Sequence, residues 1–201
     1  YAPLEHAEWI GLTPTDLVFP FFMFIMGIST YISLRKYNFE FSHSAALKIL
    51  KRTLVIFAIG LGIGWLSLSF RTYNSLIAEN LPFGERLLQS VTNFAHLRIL
   101  GVMQRLALCY GATSIIAILV KHKYIPVIVL VTLFAYFLLL ITGNGFEQSE
   151  QNIISVFDQI VLGVDHMYKD AGLAIDPEGL LSTIPSICHV LIGFWCGELL
   201  M

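Results

Sequence analysis

Long uncharged apolar runs recur along this 201-residue chain. They cover residues 17–34, 53–70, 99–120, 124–142 and 179–197. Only the third run is interrupted by a charge, that of Arg105. At about 1.5 Å of rise per residue, helices of these lengths reach roughly 27–33 Å, which matches the hydrocarbon core of a bilayer. The runs lack the period-two alternation of barrel strands, and an open sheet would leave its backbone unsatisfied in lipid. The pattern therefore predicts an all-α, polytopic transmembrane bundle with about five spanning helices.

Two connections between the runs have helical periodicity of their own. Apolar residues recur at helical spacing at Leu87, Leu88, Val91 and Phe94, and again at Ile154, Phe157, Val161 and Val164. Both segments are predicted to be amphipathic helices at the membrane interface. They either pack on the bundle or cover a cavity, and the sequence leaves both possibilities open. The chain is otherwise a single transmembrane domain, 1–201, which we expect to be a fragment of a longer helical bundle.

Composition supports the membrane class. Hydrophobic residues make up 56% of the chain and charged residues 13%, against about 25% charged in soluble domains. The net charge of −2 offers nucleic acid no basic surface. The three cysteines fall within the apolar runs and read as buried thiols, with no spacing typical of a metal site. We expect no metal.

The charges also predict an orientation. Seven of the 12 basic residues lie in two connections, after the first and third runs, and 12 of the 14 acids lie in the others. By the positive-inside rule the basic connections are cytoplasmic. Lys51 and Lys121 are therefore expected in the cytoplasm, and His6 and Asp176 outside it. We expect an integral protein of a bacterial inner membrane, in contact with the lipid bilayer.

The first candidate for chemistry is His6, which lies between two glutamates just before the first run. Histidine suits proton transfer near neutral pH, so His6 is a candidate base or nucleophile at a membrane mouth. A solvated loop histidine is the alternative. Thr13, Pro14 and Asp16 have the pattern of a helix start, with Thr13 as the cap. Capping alone could account for Asp16.

A second helix-start pattern, Asp176-Pro177-Glu178, precedes the fifth run. It predicts that Asp176 caps that helix. The carboxylate of Glu178 faces the membrane mouth, where a base or an amine-binding group would be useful.

Three polar residues, Arg98, Gln104 and Arg105, mark the start of the third run. A charge as deep as that of Arg105 is costly in lipid and normally faces a partner or a wet cavity. One interpretation is a structural ion pair with a neighbouring helix. The other is a cation that holds an anionic cofactor or a polar substrate.

Three motifs together resemble one enzyme family. They are residues 6–20, reading His-Ala-x-Trp-x-Gly-Leu-Thr-x-x-Asp-Leu-Val-Phe-Pro, residues 97–107, reading Leu-Arg-Ile-Leu-Gly-Val-Met-Gln-Arg-Leu-Ala, and residues 176–185, reading Asp-Pro-Glu-Gly-Leu-Leu-Ser-Thr-Ile-Pro. In this order they resemble the heparan-α-glucosaminide N-acetyltransferase family and its bacterial relatives. The chain departs from the family pattern at Ile10 and Leu100.

The resemblance implies a membrane enzyme that takes an acetyl group from cytosolic acetyl-CoA and delivers it to an acceptor across the membrane, such as a glucosaminide amine or another glycan. It places the family's active-site histidine at His6. With it we assign Asp16 and Glu178 to catalysis, and Arg98, Gln104 and Arg105 to acetyl-CoA. Trp9 and Asp176 are assigned to the acceptor.

Direct transfer and an acetyl-histidine route both fit these residues. A membrane transporter or channel component is the alternative function, with Arg105 and the mouth carboxylates along a permeation path. The sequence also leaves a homo-oligomer open.

Overall fold

A computed structural model of the protein describes residues 5–7, 11–79, 81–170 and 172–201. Seven α-helices make up most of this part: α1 (Pro14–Arg35), α2 (His43–Ser75), α3 (Phe83–Thr92), α4 (Val102–Leu119), α5 (Ile125–Thr142), α6 (Ile153–Leu162) and α7 (Thr183–Leu200). Short 3₁₀ turns follow α2 (Leu76–Glu79) and α6 (Val164–His166) and precede α5 (His122–Tyr124). Two short strands, β1 (Lys169–Asp170) and β2 (Leu173–Ala174), pair antiparallel before α7.

The predicted fold class is confirmed. Five helices, α1, α2, α4, α5 and α7, are long and apolar enough to cross a membrane. The short helices α3 and α6 occupy the two connections in which amphipathic helices were predicted. The largest difference is α2, which has 33 residues instead of the 18 of its uncharged run. Its side-chain cap, Ser42, accepts a hydrogen bond from the Ala45 N–H at 3.2 Å, so the helix begins well before the apolar stretch.

The helices alternate in direction. A buried cluster joins the last turns of α1, α4 and α7 to the first turns of α2 and α5, and it includes Tyr31, Leu34, Ile49, Ala117, Ile125 and Phe194. Helices α1, α4 and α7 therefore run one way, and α2 and α5 run the other. We call the end with this cluster the Lys36 end, and the opposite end, where α1, α4 and α7 begin, the His6 end. The alternation agrees with the charge pattern, whereas the side on which each end lies stays a prediction.

Helices α1 and α7 are in direct backbone contact. A Cβ atom added at Gly27 would lie 2.6 Å from the Phe194 nitrogen, and one added at Gly193 would lie 3.1 Å from the Cα of Phe24. Glycine on both helices thus permits a close approach, as is common between membrane helices. This parallel pair makes the most extensive contact between helices in the described part of the chain.

A glycine in α2 permits a second close approach. A Cβ at Gly60 would lie 2.7 Å from Cβ of Met103 and from Oε1 of Gln104 on α4. Gly62, in contrast, has no atom within 4 Å of such a Cβ. Of the Gly-x-Gly-x-Gly series in α2, Gly60 is the residue that brings two helices together.

The predicted start of the fifth span is wrong. Helix α7 begins at Thr183, with Ser182 as its cap residue and no side-chain capping bond. Asp176 lies seven residues before the helix, so it does not cap α7. Residues 176–182 instead form a loop that contacts the ends of the Arg98 and Arg105 side chains.

Candidate active site

His6 and Asp16 form a pair at the start of α1. The imidazole Nδ1 lies 2.6 Å from Oδ1 of Asp16. The imidazole is 74% exposed and the carboxylate 22% exposed. Because Nδ1 faces an acid, the neutral ring is held in the tautomer that donates from Nδ1 and keeps the lone pair on Nε2. An exposed Nε2 lone pair suits proton transfer or nucleophilic attack.

The first turn of α1 fixes Asp16 in place. Its Oδ2 accepts hydrogen bonds from the Thr13 N–H at 2.8 Å, the Thr13 hydroxyl at 2.9 Å and the Ala7 N–H at 3.3 Å. Thr13 and Asp16 make a capping box, so the prediction that Thr13 caps this helix is confirmed. The helix start uses one oxygen of Asp16 and His6 uses the other. Capping and orientation of the imidazole are therefore compatible in the same residue.

Arg98 lies in an acidic cradle formed by the loop before α7. Its Nε donates to Oδ2 of Asp176 at 3.1 Å, and its Nη2 donates to Oδ1 at 2.5 Å. The same Nη2 also donates to Oε2 of Glu178. The guanidinium carbon lies 4.9 Å from the ring centroid of Tyr168. Two carboxylates thus meet the one guanidinium of Arg98, and the charge of Arg105 also acts on both of them.

The backbone around Arg98 is tied down by a residue from another connection. The Ile99 N–H donates to the carbonyl of His166 at 3.1 Å, and Nδ1 of His166 lies 2.8 Å from the carbonyl of Leu97.

Burial lowers the pKa of Arg98, but its hydrogen bonds and charge interactions with Asp176 and Glu178 outweigh this effect and raise the pKa overall. Arg98 is therefore a permanent cation whose charge is balanced locally.

Asp176 and Glu178 differ in exposure. The Asp176 side chain is fully buried, whereas that of Glu178 is 18% exposed. Asp176 also accepts from the N–H groups of Tyr168 and Glu178, each at 3.0 Å. Its oxygens are thus occupied within the protein. Of the two acids, Glu178 is the one positioned to meet a ligand.

Arg105, in the first turn of α4, also contacts the 176–182 loop. Its Nη2 donates to the carbonyl of Pro177 at 2.5 Å and to the hydroxyl of Ser182, with a longer contact of 3.5 Å to the carbonyl of Gly179. The residue is buried, and its charge lies inside the bundle rather than in lipid. Among the described residues, no carboxylate forms an ion pair with it.

The three residues assigned to acetyl-CoA do not come together. Arg98 and Arg105 both contact the 176–182 loop, whereas Gln104 is buried against α2, close to Gly60. Glu178, assigned with Asp16 to catalysis, is bound to Arg98, whereas Asp16 contacts His6. Trp9, assigned to the acceptor, lies outside the described residues.

Sequence reasoning missed Asp158 of α6. It is fully buried, and its Oδ1 accepts from the N–H groups of Leu180 at 2.8 Å and Leu181 at 3.4 Å. Its Oδ2 has no hydrogen-bond partner among the described residues. A Cβ at Gly179 would lie 2.6 Å from its Cγ, so the loop needs glycine there. Its position in the sequence could have indicated this role, because Asp158 falls within the apolar stripe that Ile154, Phe157 and Val161 define.

The environment of Asp158 favours its neutral form. Burial raises its pKa, the two peptide N–H groups lower it, the charge of Asp176 raises it and that of Arg105 lowers it, and the net effect is a raised pKa. Asp158 thus holds the Gly179–Leu181 segment to α6. Through that segment it supports both arginine contacts.

Both clusters lie at the His6 end of the bundle. Helices α1 and α7 are parallel, so the His6–Asp16 pair before α1 and the 176–182 loop before α7 share one end. The chain is 26% identical over 249 aligned positions to heparan-alpha-glucosaminide N-acetyltransferase of Homo sapiens, and 25% identical over 253 positions to the enzyme of that name of Mus musculus. It is a distant relative of this acetyltransferase family. The alignments cover the whole chain, which spans 35% of the length of either relative. No family model matches the chain.

Proposed function

We propose that this chain carries the acetyl-transfer site of a membrane acetyltransferase. In this proposal, His6 acts on an acetyl group that acetyl-CoA supplies from the cytoplasm, and the acceptor is an extracytoplasmic amine of a glucosaminide-like amino sugar. The observation that carries the proposal is the 2.6 Å contact between His6 Nδ1 and Asp16. The names of the distant relatives support the reaction class and the acceptor.

In the direct route, His6 is a general base. Its Nε2 takes a proton from the attacking amine as the amine nitrogen forms a bond to the thioester carbonyl carbon. The carbon–sulfur bond then breaks, the thiolate leaves with the electron pair, and the imidazolium returns the proton to sulfur. Asp16 stabilises the imidazolium while it exists.

In the covalent route, Nε2 itself attacks the thioester carbonyl carbon. The carbon–sulfur bond breaks, the thiolate takes up a proton, and the acetyl group remains on the imidazole. The acceptor amine then attacks this acetyl group, loses a proton and restores the free ring. Both routes need the same tautomer, with hydrogen on Nδ1 and the lone pair on Nε2.

The Arg98 cluster suits an amine better than a phosphate. The carboxylate of Glu178 is partly exposed, and it favours a cationic group of the acceptor. Nε and Nη2 of Arg98 are already bonded to carboxylates. We therefore assign Glu178 to the acceptor amine and Asp176 to positioning Arg98. Arg98, Gln104 and Arg105 do not fit a phosphate site as they stand, and no step is derived through them.

The contacts of Arg105 do not favour the alternative function of a transporter or channel component. A permeation path would need Arg105 to face a channel, whereas its guanidinium is bound to the carbonyl and hydroxyl groups of the 176–182 loop. Arg105 therefore supports the 176–182 loop at the His6 end and does not line a channel.

The test is transfer of a labelled acetyl group from acetyl-CoA to glucosamine by the full-length protein in lipid. We expect the wild type to transfer label and His6→Ala to lose it. His96→Ala, which alters an exposed histidine elsewhere in the connections, is the matched control. Wild-type transfer by His6→Ala would rule out the proposed role of this residue.

A further inference from the structure

Tyr168 lies beside Arg98 at the His6 end of the bundle. It belongs to the connection between α6 and α7, just before β1, and 43% of the residue is exposed. The guanidinium carbon of Arg98 lies 4.9 Å from its ring centroid. Because Arg98 also binds Glu178, a single guanidinium group separates the aromatic ring from that carboxylate. An aromatic surface and an acid that a ligand can reach are thus close neighbours.

The position of Tyr168 is fixed through its backbone. Its N–H donates to Oδ2 of Asp176 at 3.0 Å, and the same oxygen accepts from Nε of Arg98. The preceding residue, Met167, is buried. One acid therefore holds both the Tyr168 backbone and the Arg98 side chain. A site whose parts are fixed in advance loses less conformational freedom when a ligand binds.

A second exposed tyrosine provides a comparison. Tyr124 is 50% exposed at the Lys36 end, and Nζ of Lys123 lies 5.0 Å from its ring centroid. Tyrosine is common at membrane surfaces, where it acts as an anchor. In the described part of the chain, no carboxylate forms an ion pair with Lys123. Tyr168 differs from such an anchor because the cation beside its ring is bound to carboxylates.

We propose that Tyr168 makes the site specific for amino sugars, with its ring against one face of the sugar and Glu178 on the amine. The inference rests on the proposed function for the class of acceptor. A sugar ring presents C–H groups on its faces, and an aromatic side chain offers them an apolar surface beside a few polar groups. An acyclic amine would meet the carboxylate alone. Burial of the sugar face should contribute about tenfold in affinity.

The test is a saturation-transfer NMR titration of the full-length protein in lipid with glucosamine, followed by competition with glucose. We expect Tyr168→Ala to weaken both sugars about tenfold, and Tyr168→Phe to bind both as the wild type does. Glu178→Gln should weaken glucosamine alone, because glucose has no amine. Tyr124→Ala is the matched control, since it removes an equally exposed ring that also lies beside a cation, and it should leave both affinities unchanged.

Two results would contradict a surface for the sugar ring. In the first, Tyr168→Ala weakens glucosamine and leaves glucose unchanged, which would show that the ring acts only through Arg98 and Glu178. In the second, glucose fails to compete with glucosamine on the wild type. Either result would overturn the inference, as would a wild type that does not bind glucosamine.

Acetyl transfer by the same proteins separates this inference from the proposed function. Tyr168→Ala should raise KM for glucosamine about tenfold and leave kcat nearly unchanged. If the wild type transfers acetyl groups and Tyr168→Ala keeps the wild-type KM, the inference is wrong and the proposed function stands. If both sugars bind in the expected pattern and glucosamine receives no acetyl group, the proposed function is wrong and the inference stands.

Discussion

The carboxylate of Asp16 accepts from the backbone and hydroxyl of Thr13 through one oxygen, and its other oxygen lies 2.6 Å from Nδ1 of His6. The same side chain thus closes the first turn of α1 and orients an exposed imidazole. Since His6 precedes the helix by eight residues, its ring is placed by this contact and not by the helix itself. The helix start and the reactive nitrogen are coupled through one residue.

This coupling predicts non-additive effects of mutation. In the acetyl-transfer assay, His6→Ala should lower the rate by about 10²–10⁴-fold. Asp16→Asn should cause a loss of similar order, because the imidazole is then no longer held in the tautomer that has hydrogen on Nδ1. The double variant should be scarcely slower than His6→Ala, because Asp16 acts through the ring. Thermal midpoints of all three proteins provide the control. Losses that simply multiply would show that Asp16 acts independently of His6.

Substitution of the two acids that contact Arg98 should have different effects on acceptor binding and on the stability of the protein. Glu178→Gln should raise KM for the amine acceptor, with little change in the thermal midpoint, because its side chain is partly exposed. Asp176→Asn should lower the midpoint, because it weakens a buried, charge-assisted contact with Arg98, and should change KM much less. Steady-state kinetics and thermal unfolding on the same preparations measure both. A reversed pattern would exchange the roles of the two acids.

Asp158 should make stability depend on pH. The unfolded chain releases this proton near a pKa of about 3.9, while burial raises the pKa in the folded state. Between these two values the folded state binds more protons than the unfolded state, so stability falls as pH rises through the folded pKa. Asp158→Asn retains the oxygen that accepts from Leu180 and lacks the charge. Its stability advantage over the wild type should widen above about pH 4 and then level off.

Thermal unfolding in detergent between about pH 4 and pH 8 measures this difference. Asp165→Asn, at an exposed position just after α6, is the control and should not show the widening gap. Parallel profiles for the wild type and Asp158→Asn would contradict a raised pKa. Asp158→Leu should be less stable than either, by about 1–3 kcal/mol, since it leaves buried peptide N–H groups without an acceptor.

Gly179 and Gly62 make a matched pair. Gly179→Ala should destabilise the protein by about 1–3 kcal/mol, since the new methyl group would overlap the Asp158 carboxyl group. Gly62→Ala adds the same group where no atom lies within 4 Å. It should be neutral, or stabilising by about 0.5–1 kcal/mol, since alanine favours a helix. Equal midpoints for the two variants would show that the Asp158–Gly179 contact is looser than described.

Single-cysteine labelling tests the orientation. In a background without native cysteines, cysteine at position 51 or 121 should resist a membrane-impermeant maleimide in intact cells, and cysteine at position 147 should react. The basis is the excess of basic residues around Lys51 and Lys121. Permeabilised cells provide the control for reactivity. Labelling of positions 51 and 121 from outside would reverse the orientation.

The fold was predictable because each spanning helix is encoded locally. The lengths of the apolar runs alone indicate α1, α4 and α5 to within a few residues, and Thr13 and Asp16 mark a helix start through a contact three residues apart. The start of α7 was not predictable in this way. Asp176 has the local pattern of a cap, but its carboxylate binds Arg98, which is 78 residues away along the chain.

The same distinction explains the site. The His6–Asp16 pair spans ten residues, and a motif can contain it. The contact of Arg105 with Pro177 spans 72 residues and that of Asp158 with Leu180 spans 22, so both depend on how the helices pack. Arg105 was expected to face a partner or a wet cavity, and its partners are the carbonyl groups of Pro177 and Gly179 and the hydroxyl of Ser182, which no local pattern reveals.

The backbone contact between α1 and α7 has a mechanical consequence. With glycine on both sides, no layer of side chains between the two helices can rearrange, and sliding one past the other would drive a Cα into a peptide group. The two helices therefore move as one body. Because His6 lies just before α1 and the 176–182 loop lies just before α7, the distance between them is set when these two helices pack together.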